Sequence, residues 1–229
     1  MDIPYRSALI IGVGPGIGAS LARMLRASGV AVVITARRVE PLLPLAVEIG
    51  AIALAVDASK PADIALLFAE VETRIGAPEI VIYNASAYLR GPIADLDPGK
   101  VKNALEVTAL GAFYAIQQAA RKMIPEGRGT ILLTGATAGV KGFALSAPFA
   151  MGKFALRGLA QSAARELAPK GIHVAHIVID GSVRPTSEKD PRDGSIDADA
   201  VARSYADLLR QHRSAWSWEL EIRPWIEPF

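Results

Sequence analysis

Cysteine is absent from the 229 residues, so the chain has no disulfide framework, no thiol nucleophile and no zinc–cysteine site. This is compatible with a cytoplasmic location, and no metal is expected. Excess charge of one sign is also missing. Lys and Arg number 25 against 23 Asp and Glu, a net of +2, and no basic run or face stands out to neutralise a phosphate backbone, so nucleic acid is not an expected partner. No uninterrupted apolar stretch reaches the roughly 18 to 20 residues that span a bilayer. The opening Met1-Asp2-Ile3-Pro4-Tyr5-Arg6 leads into a hydrophobic run broken by glycines rather than into an export signal. No membrane partner is expected. Internal repeats and low-complexity tracts are absent as well.

What is present suits a covered sheet. The chain is 51% hydrophobic and 21% charged, and 229 residues can form one large α/β domain, the arrangement expected over 1–229. Apolar runs at Ala8 to Val13, Val30 to Thr35, Ala51 to Val56, Glu79 to Tyr83, Thr130 to Thr134 and Ile172 to Ile179 read as buried strands. Between them, Ile17 to Ala27, Pro61 to Ile75, Val101 to Met123 and Phe149 to Ala168 have helical spacing. A last helix near Asp199 to Gln211 and a strand with alternating Trp218, Leu220 and Ile222 close the series. The alternation predicts a doubly wound, Rossmann-type parallel sheet of about seven strands, with helices on both faces and ligands at the carboxyl ends of the strands.

Local punctuation adds detail. Ser59 before Pro61 and Asp97 before Pro98 are expected to cap helices. Pro44 predicts a short or distorted second helix. Gly181 to Ile196, rich in Pro, Ser, Asp and Lys, reads as a mobile surface segment. The tail Arg223-Pro224-Trp225-Ile226-Glu227-Pro228-Phe229 carries large apolar side chains that would pack on this subunit or on a neighbour.

The first strand runs through Gly12-Val13-Gly14-Pro15-Gly16-Ile17-Gly18 into the first helix. Counting G-x-G-x-x-G from Gly12 puts Ile17 in the last place, so that pattern fails. G-x-x-x-G-x-G at Gly12, Gly16 and Gly18 fits. Glycines admit the turn's unusual angles and let a diphosphate approach, with Gly14 and Ile17 in the same cradle, and the free N–H groups of the new helix meet its charge. A purely structural turn is the alternative.

These glycines, with Ile11 where a Thr is usual, resemble the motif of the short-chain dehydrogenase/reductase family. Asp57 ends the third strand, where the family places an Asp beside the adenine. Tyr83-Asn84-Ala85-Ser86 is similar to part of its Asn-Asn-Ala-Gly segment, and Phe149-Ala150-Met151-Gly152-Lys153 has the frame of its Tyr-x-x-x-Lys motif. The resemblance covers nearly the whole chain and implies a nicotinamide cofactor. At the end of the second strand, Val33-Ile34-Thr35-Ala36-Arg37-Arg38 offers no carboxylate for ribose hydroxyls, while Arg37 and Arg38 suit a 2′-phosphate. NADP is therefore expected over NAD, the alternative being that the two arginines are a solvated loop pair. In Ile179-Asp180-Gly181-Ser182-Val183, Asp180 replaces the family's Pro, and Val183 is left to grip the nicotinamide amide through its backbone.

The resemblance also exposes a gap. In the family a Tyr donates the proton, a Lys four residues on lowers its pKa and holds the cofactor ribose, a Ser orients the substrate oxygen, and an Asn supports a relaying water. Here Phe149 stands at the Tyr position, Ala136 at the Ser position and Thr108 at the Asn position; only Lys153 is retained. Thr137, Ser146 and Tyr88 are candidate substitutes, each with a structural alternative: loop hydrogen bonding, helix capping and a cleft wall. His173 and His176 fall in a buried strand and read as core residues, three apart and so on opposite faces. The resemblance thus implies an NADP-dependent oxidoreductase acting on an unknown carbonyl or alcohol with an incomplete catalytic set. A non-catalytic NADP-binding sensor or regulator, and a structural interaction protein with a relic pocket, are the alternatives. The family's habit of pairing subunits through helices equivalent to Val101 to Met123 and Phe149 to Ala168 implies a homodimer or homotetramer.

Overall fold

The computed structural model describes residues 3–227. Seven strands form one sheet. In chain order they are β1 (Ser7–Ile11), β2 (Ala31–Ala36), β3 (Ile52–Ala55), β4 (Ile80–Tyr83), β5 (Gly129–Thr134), β6 (Ile172–Ile179) and, after a separate short pair β7 (Val183–Arg184) and β8 (Ile196–Asp197), β9 (Glu219–Ile222). The spatial order is β3-β2-β1-β4-β5-β6-β9 and every pairing is parallel. This is the expected Rossmann-type α/β sheet.

The helices are α1 (Ile17–Ala27), α2 (Leu43–Ile49), α3 (Pro61–Ile75), α4 (Pro98–Leu105), α5 (Gly111–Glu126), α6 (Ala147–Leu167) and α7 (Ala198–Arg210). The period of two along β1 divides the core. Ala8 and Ile10 pack with Leu21 and Leu25 of α1 and with Tyr205 and Leu209 of α7, whereas Leu9 and Ile11 pack with Ile64 and Phe68 of α3, Ala115 and Ala119 of α5 and Leu156 of α6. Both sheet faces are thus buried, which is why the strands read as continuous apolar runs. No helix among the described residues is long and apolar enough to cross a membrane.

Several local expectations change. Ser59 does not cap α3: Lys60 is the N-cap residue with no side-chain bond, and the Ser59 hydroxyl goes to Asp57 at 2.7 Å. Asp97 does cap α4, accepting from the Lys100 N–H at 2.8 Å. Pro44 falls in the first turn of the seven-residue α2, where its missing N–H costs nothing. The helix expected from Val101 to Met123 is two helices joined by a π-helical turn at Glu106–Leu110. The buried Tyr83 hydroxyl donates to the Val107 carbonyl inside that turn, and the Thr108 hydroxyl oxygen accepts the Ala87 N–H at 3.1 Å, so tertiary partners replace the regular ladder.

The Gly181 to Ile196 segment is tied down. Its ends pair as β7 and β8, and Asp190 accepts the N–H groups of Arg192, Gly194 and Ser195 at 3.0, 2.9 and 2.7 Å. With the Ser195 hydroxyl, these donors pull the Asp190 carboxyl down to about 2. In the tail, Pro224 packs on Gly181 and Ile226 lies near Gly194, while Trp225 is exposed; Pro228 and Phe229 lie outside the described residues.

Candidate active site

The strand order reverses between β1 and β4, and there the connections diverge to opposite sides of the sheet and leave a crevice at the carboxyl ends. Two adjoining cavities occupy it. The larger, about 750 Å³, lies over the ends of β1, β4, β5 and β6. The smaller, about 490 Å³, lies over the ends of β1, β2 and β3. Ser86 and Tyr88, after β4, line both.

The glycine turn separates the two cavities. Gly12 has φ +90°, and a Cβ there would stand 2.4 Å from the Ala85 nitrogen; one at Gly18 would stand 2.8 Å from the Val13 Cα. These two glycines serve the chain's own packing. Gly14 and Gly16 are different: a Cβ on either would meet nothing within 4 Å. Both line the larger cavity with Ile17 and Gly18, at the start of α1, whose first turn carries no acidic residue. A helix N-terminus with free donors and no carboxylate of its own is set for an external anion.

On the β2 side, Arg37 lines the smaller cavity with Gly12, Val13 and Asp57, whereas Arg38 lines neither. Both arginines are exposed. The Ser59 N–H and hydroxyl fix the Asp57 carboxylate at 3.1 and 2.7 Å and hold its pKa below the usual range, the hydroxyl first, against a smaller burial effect. Asn84 Nδ2 donates to the Gly12 carbonyl at 2.7 Å, and its backbone N–H to the Ile11 carbonyl at 2.8 Å. That side chain clamps the glycine turn to β4.

At the other end, Ala136, Phe149, Lys153 and Val183 line the larger cavity together. Phe149 and Lys153 are one turn apart on α6 and so share a face. Lys153 is 3 % exposed; its Nζ donates to the Thr134 carbonyl at 2.7 Å and lies 5.8 Å from the Phe149 ring centre. Burial pulls its pKa down to about 8. Tyr88 meets Phe149 edge-to-face at 5.1 Å between ring centres. Thr108 does not line either cavity; it is buried beneath, against Gly152. Thr137 donates its hydroxyl to the Asp180 carboxylate, and Ser146 sits at the N-cap of α6 without a side-chain capping bond.

The two strand histidines stay in the core. His173 Nε2 lies 2.8 Å from the Ser217 carbonyl and its ring stacks on Trp216, while His176 Nδ1 meets Glu219 at 3.0 Å. Burial lowers both pKa values, only partly opposed by those partners.

Sequence motifs did not point to Arg90, Lys141, Phe143 or Glu227, all of which line the larger cavity. They come from loops that meet only in three dimensions. One link between them is the Leu145 carbonyl, which accepts the Gly91 N–H at 2.9 Å while Leu145 itself adopts φ +64°. Arg223 is a further addition: it reaches Asp180 at 2.8 Å, joining the chain after β9 to the loop after β6.

The sequence model of the short chain dehydrogenase family matches residues 6–192. The chain belongs to the short-chain dehydrogenase family. Within it, the chain is 33% identical over 187 residues to a sorbitol dehydrogenase of Cereibacter sphaeroides, covering 79% of this chain and 73% of that one. A short-chain dehydrogenase from Rhodopseudomonas palustris superposes with a TM-score of 0.83 at 35% identity, over 96% of this chain and 99% of that one. A metagenomic short-chain oxidoreductase in complex with NADP superposes with a TM-score of 0.85 at 28% identity, over 96% and 97%. Short-chain dehydrogenases are oxidoreductases, and family and fold together support a nicotinamide cofactor. The residues present fit one: the open space at Gly14 and Gly16, the acid-free helix terminus and the buried ammonium of Lys153 lie along one crevice.

Proposed function

We propose that the chain is an NADP-dependent oxidoreductase that interconverts a carbonyl compound and its alcohol with a reduced set of catalytic groups. The observation that carries the reading is the crevice itself, in which the glycine cradle and buried Lys153 line one cavity and Arg37 and Asp57 line its neighbour. When bound, the nicotinamide supplies or takes the hydride. The chain's residues do the rest. Gly14 and Gly16 leave room for the diphosphate at the start of α1, and Asp57, held ionised by Ser59, accepts from the adenine end. Arg37 offers a guanidinium to a 2′-phosphate; Arg38, outside both cavities, is the weaker candidate. Lys153 donates to the ribose, and the Val183 backbone to the carboxamide.

Ala136 and Phe149 remove the carbonyl clamp and the phenolic acid at the positions the family uses, and this favours a second reading, a non-catalytic NADP-binding sensor or regulator. One experiment separates the two. The protein is titrated with NADPH and with NADH, then assayed for NADPH oxidation across a panel of aldehydes and ketones. Tighter NADPH binding with turnover is the expected result; tighter NADPH binding with none selects the regulator, and preference for NADH overturns the role given to Arg37. Exposed apolar residues on the helices, Leu110, Phe113, Met151 and Phe154, support the proposal of a homodimer or homotetramer, which sedimentation checks.

A further inference from the structure

A carbonyl reduction needs a proton as well as a hydride, and Phe149 has none to give. The donors that line the larger cavity are few. The Thr137 hydroxyl is committed to the Asp180 carboxylate, and Asp180 is held by Arg223 at 2.8 Å. Ser86, Ser146 and Ser182 are aliphatic alcohols with no base shown beside them, too weak as acids for the task, and the Thr134 hydroxyl is paired with that of Tyr205. Arg90 does not release protons in proteins. Lys141 is exposed, 5.6 Å from the Phe143 ring centre, and Tyr88 is 66 % exposed on the rim. His176 carries an unpartnered buried Nε2, but this atom faces Gly135 from within the sheet layer and does not line the cavity.

Lys153 remains, and its placement suits the task. Nζ lies between the end of β5 and the ring of Phe149, with one acceptor, the Thr134 carbonyl, for three N–H bonds. We propose that Lys153 is itself the proton donor of this enzyme, serving the substrate oxygen from the place where Lys and Tyr would otherwise share the work; this rests on the oxidoreductase reading above. The Nζ ammonium gives its proton to the carbonyl oxygen while the carbonyl carbon takes the hydride, with its electron pair, that reduced nicotinamide supplies. The products are the alcohol, oxidised nicotinamide and a neutral amine, which water reprotonates.

The surroundings keep the ammonium acidic. On its own helix Arg157 is the nearest ionic neighbour in sequence, and it is bound to Glu219 of β9 at 2.7 Å. The same Glu219 also holds His176 of β6 at 3.0 Å. Tyr205 of α7 bonds the Thr134 hydroxyl, Asp180 is taken by Arg223 and Thr137, and Glu106 of the π turn pairs with Lys102 at 3.7 Å. No carboxylate is paired with Nζ, and burial holds its pKa at about 8, within the working range of a general acid. Carbonyl reduction should therefore fall as pH rises through about 8, and alcohol oxidation should rise.

The test uses Lys153→Arg, which keeps the charge for the ribose but cannot release the proton, and Lys153→Ala with added primary amines. At saturating NADPH, reduction of 4-nitrobenzaldehyde or any other panel carbonyl by the Arg variant should fall by about 10²-fold or more, with NADPH affinity titrated separately so that a weakened ribose contact is read apart from the lost proton. Amines should restore part of the Ala variant's rate in proportion to their acidity. Independently of turnover, the Lys153 side-chain NMR signal, assigned by its loss in Lys153→Arg, should titrate near 8. Turnover by the Arg variant equal to that of the unmodified protein overturns the assignment, as does an amine titrating at its ordinary value; NADPH bound with no carbonyl reduced by the unmodified protein removes the oxidoreductase reading itself. Failure to bind NADPH also removes that reading, on which the assignment rests.

Discussion

Over β1, β2 and β3 the crevice keeps its polar groups supported: Asn84 clamps the glycine turn, Ser59 orients Asp57, and Arg37 stands at the edge. Over β5, β6 and α6 the cavity wall holds Phe149 and Ala136 with Tyr88 and one buried ammonium, that of Lys153, and in the proposed reading this is the end that faces a reacting carbonyl. On the proposed reading, the nucleotide end and the reacting end obey different constraints. A phosphate cradle is mostly backbone, and two of its glycines, Gly12 and Gly18, are held by close packing. A proton donor is a single side chain, and a neighbouring group can take over its work without disturbing the fold.

The sharpest way to break this contrast is to refill the reacting end. Phe149→Tyr with Ala136→Ser should raise NADPH-dependent reduction by about 10²-fold or more, with NADPH affinity changed by less than a few-fold. Initial rates and a binding titration check this, and an inert double variant would mean that the pocket, not just the acid, has diverged. The nucleotide end predicts the reverse asymmetry within one turn. Gly12→Val should cost about 3 kcal/mol or more of stability by urea denaturation, because the backbone sits at positive φ and Ala85 occupies the side-chain position. Gly14→Ala, with open space around it, should leave the urea midpoint within about 0.5 kcal/mol and weaken only NADPH binding.

Lys153 tests the reacting end through stability. Its pKa falls from 10.5 to about 8 on folding, so between those values the unfolded chain binds more protons and the native state gains stability as pH rises. The gain across that window should be at most about 3 kcal/mol in the nucleotide-free protein, and the same urea series on Lys153→Met should lack it. A further effect concerns selectivity: Arg37→Glu should weaken NADPH by about 10- to 100-fold and leave NADH within a few-fold. Equal loss for both would move Arg37 out of the 2′-phosphate contact.

Much of the fold was legible in the sequence. The strands announced themselves because a parallel sheet buried on both faces needs unbroken apolar runs, and Ala136, Phe149 and Lys153, singled out by the family resemblance, line one cavity. What escaped depends on contacts remote in sequence. Helical periodicity runs straight through Glu106–Leu110, and only the Tyr83 hydroxyl below the Val107 carbonyl explains a π turn there. Ser59 looked like a cap until Asp57 claimed its hydroxyl. Gly181 to Ile196 has the composition of a loose loop, yet the backbone donors gathered by Asp190 organise it. Arg90, Lys141 and Glu227 carried no local signal at all.

The bridge from Arg223 to Asp180 ties one wall of the larger cavity to the edge of the sheet. Asp180 follows β6 and Arg223 follows β9, a strand paired on one side only. Local opening costs least where contacts are fewest, so fraying of β9 would release Asp180 while the glycine turn, clamped by Asn84 between β1 and β4, keeps its shape.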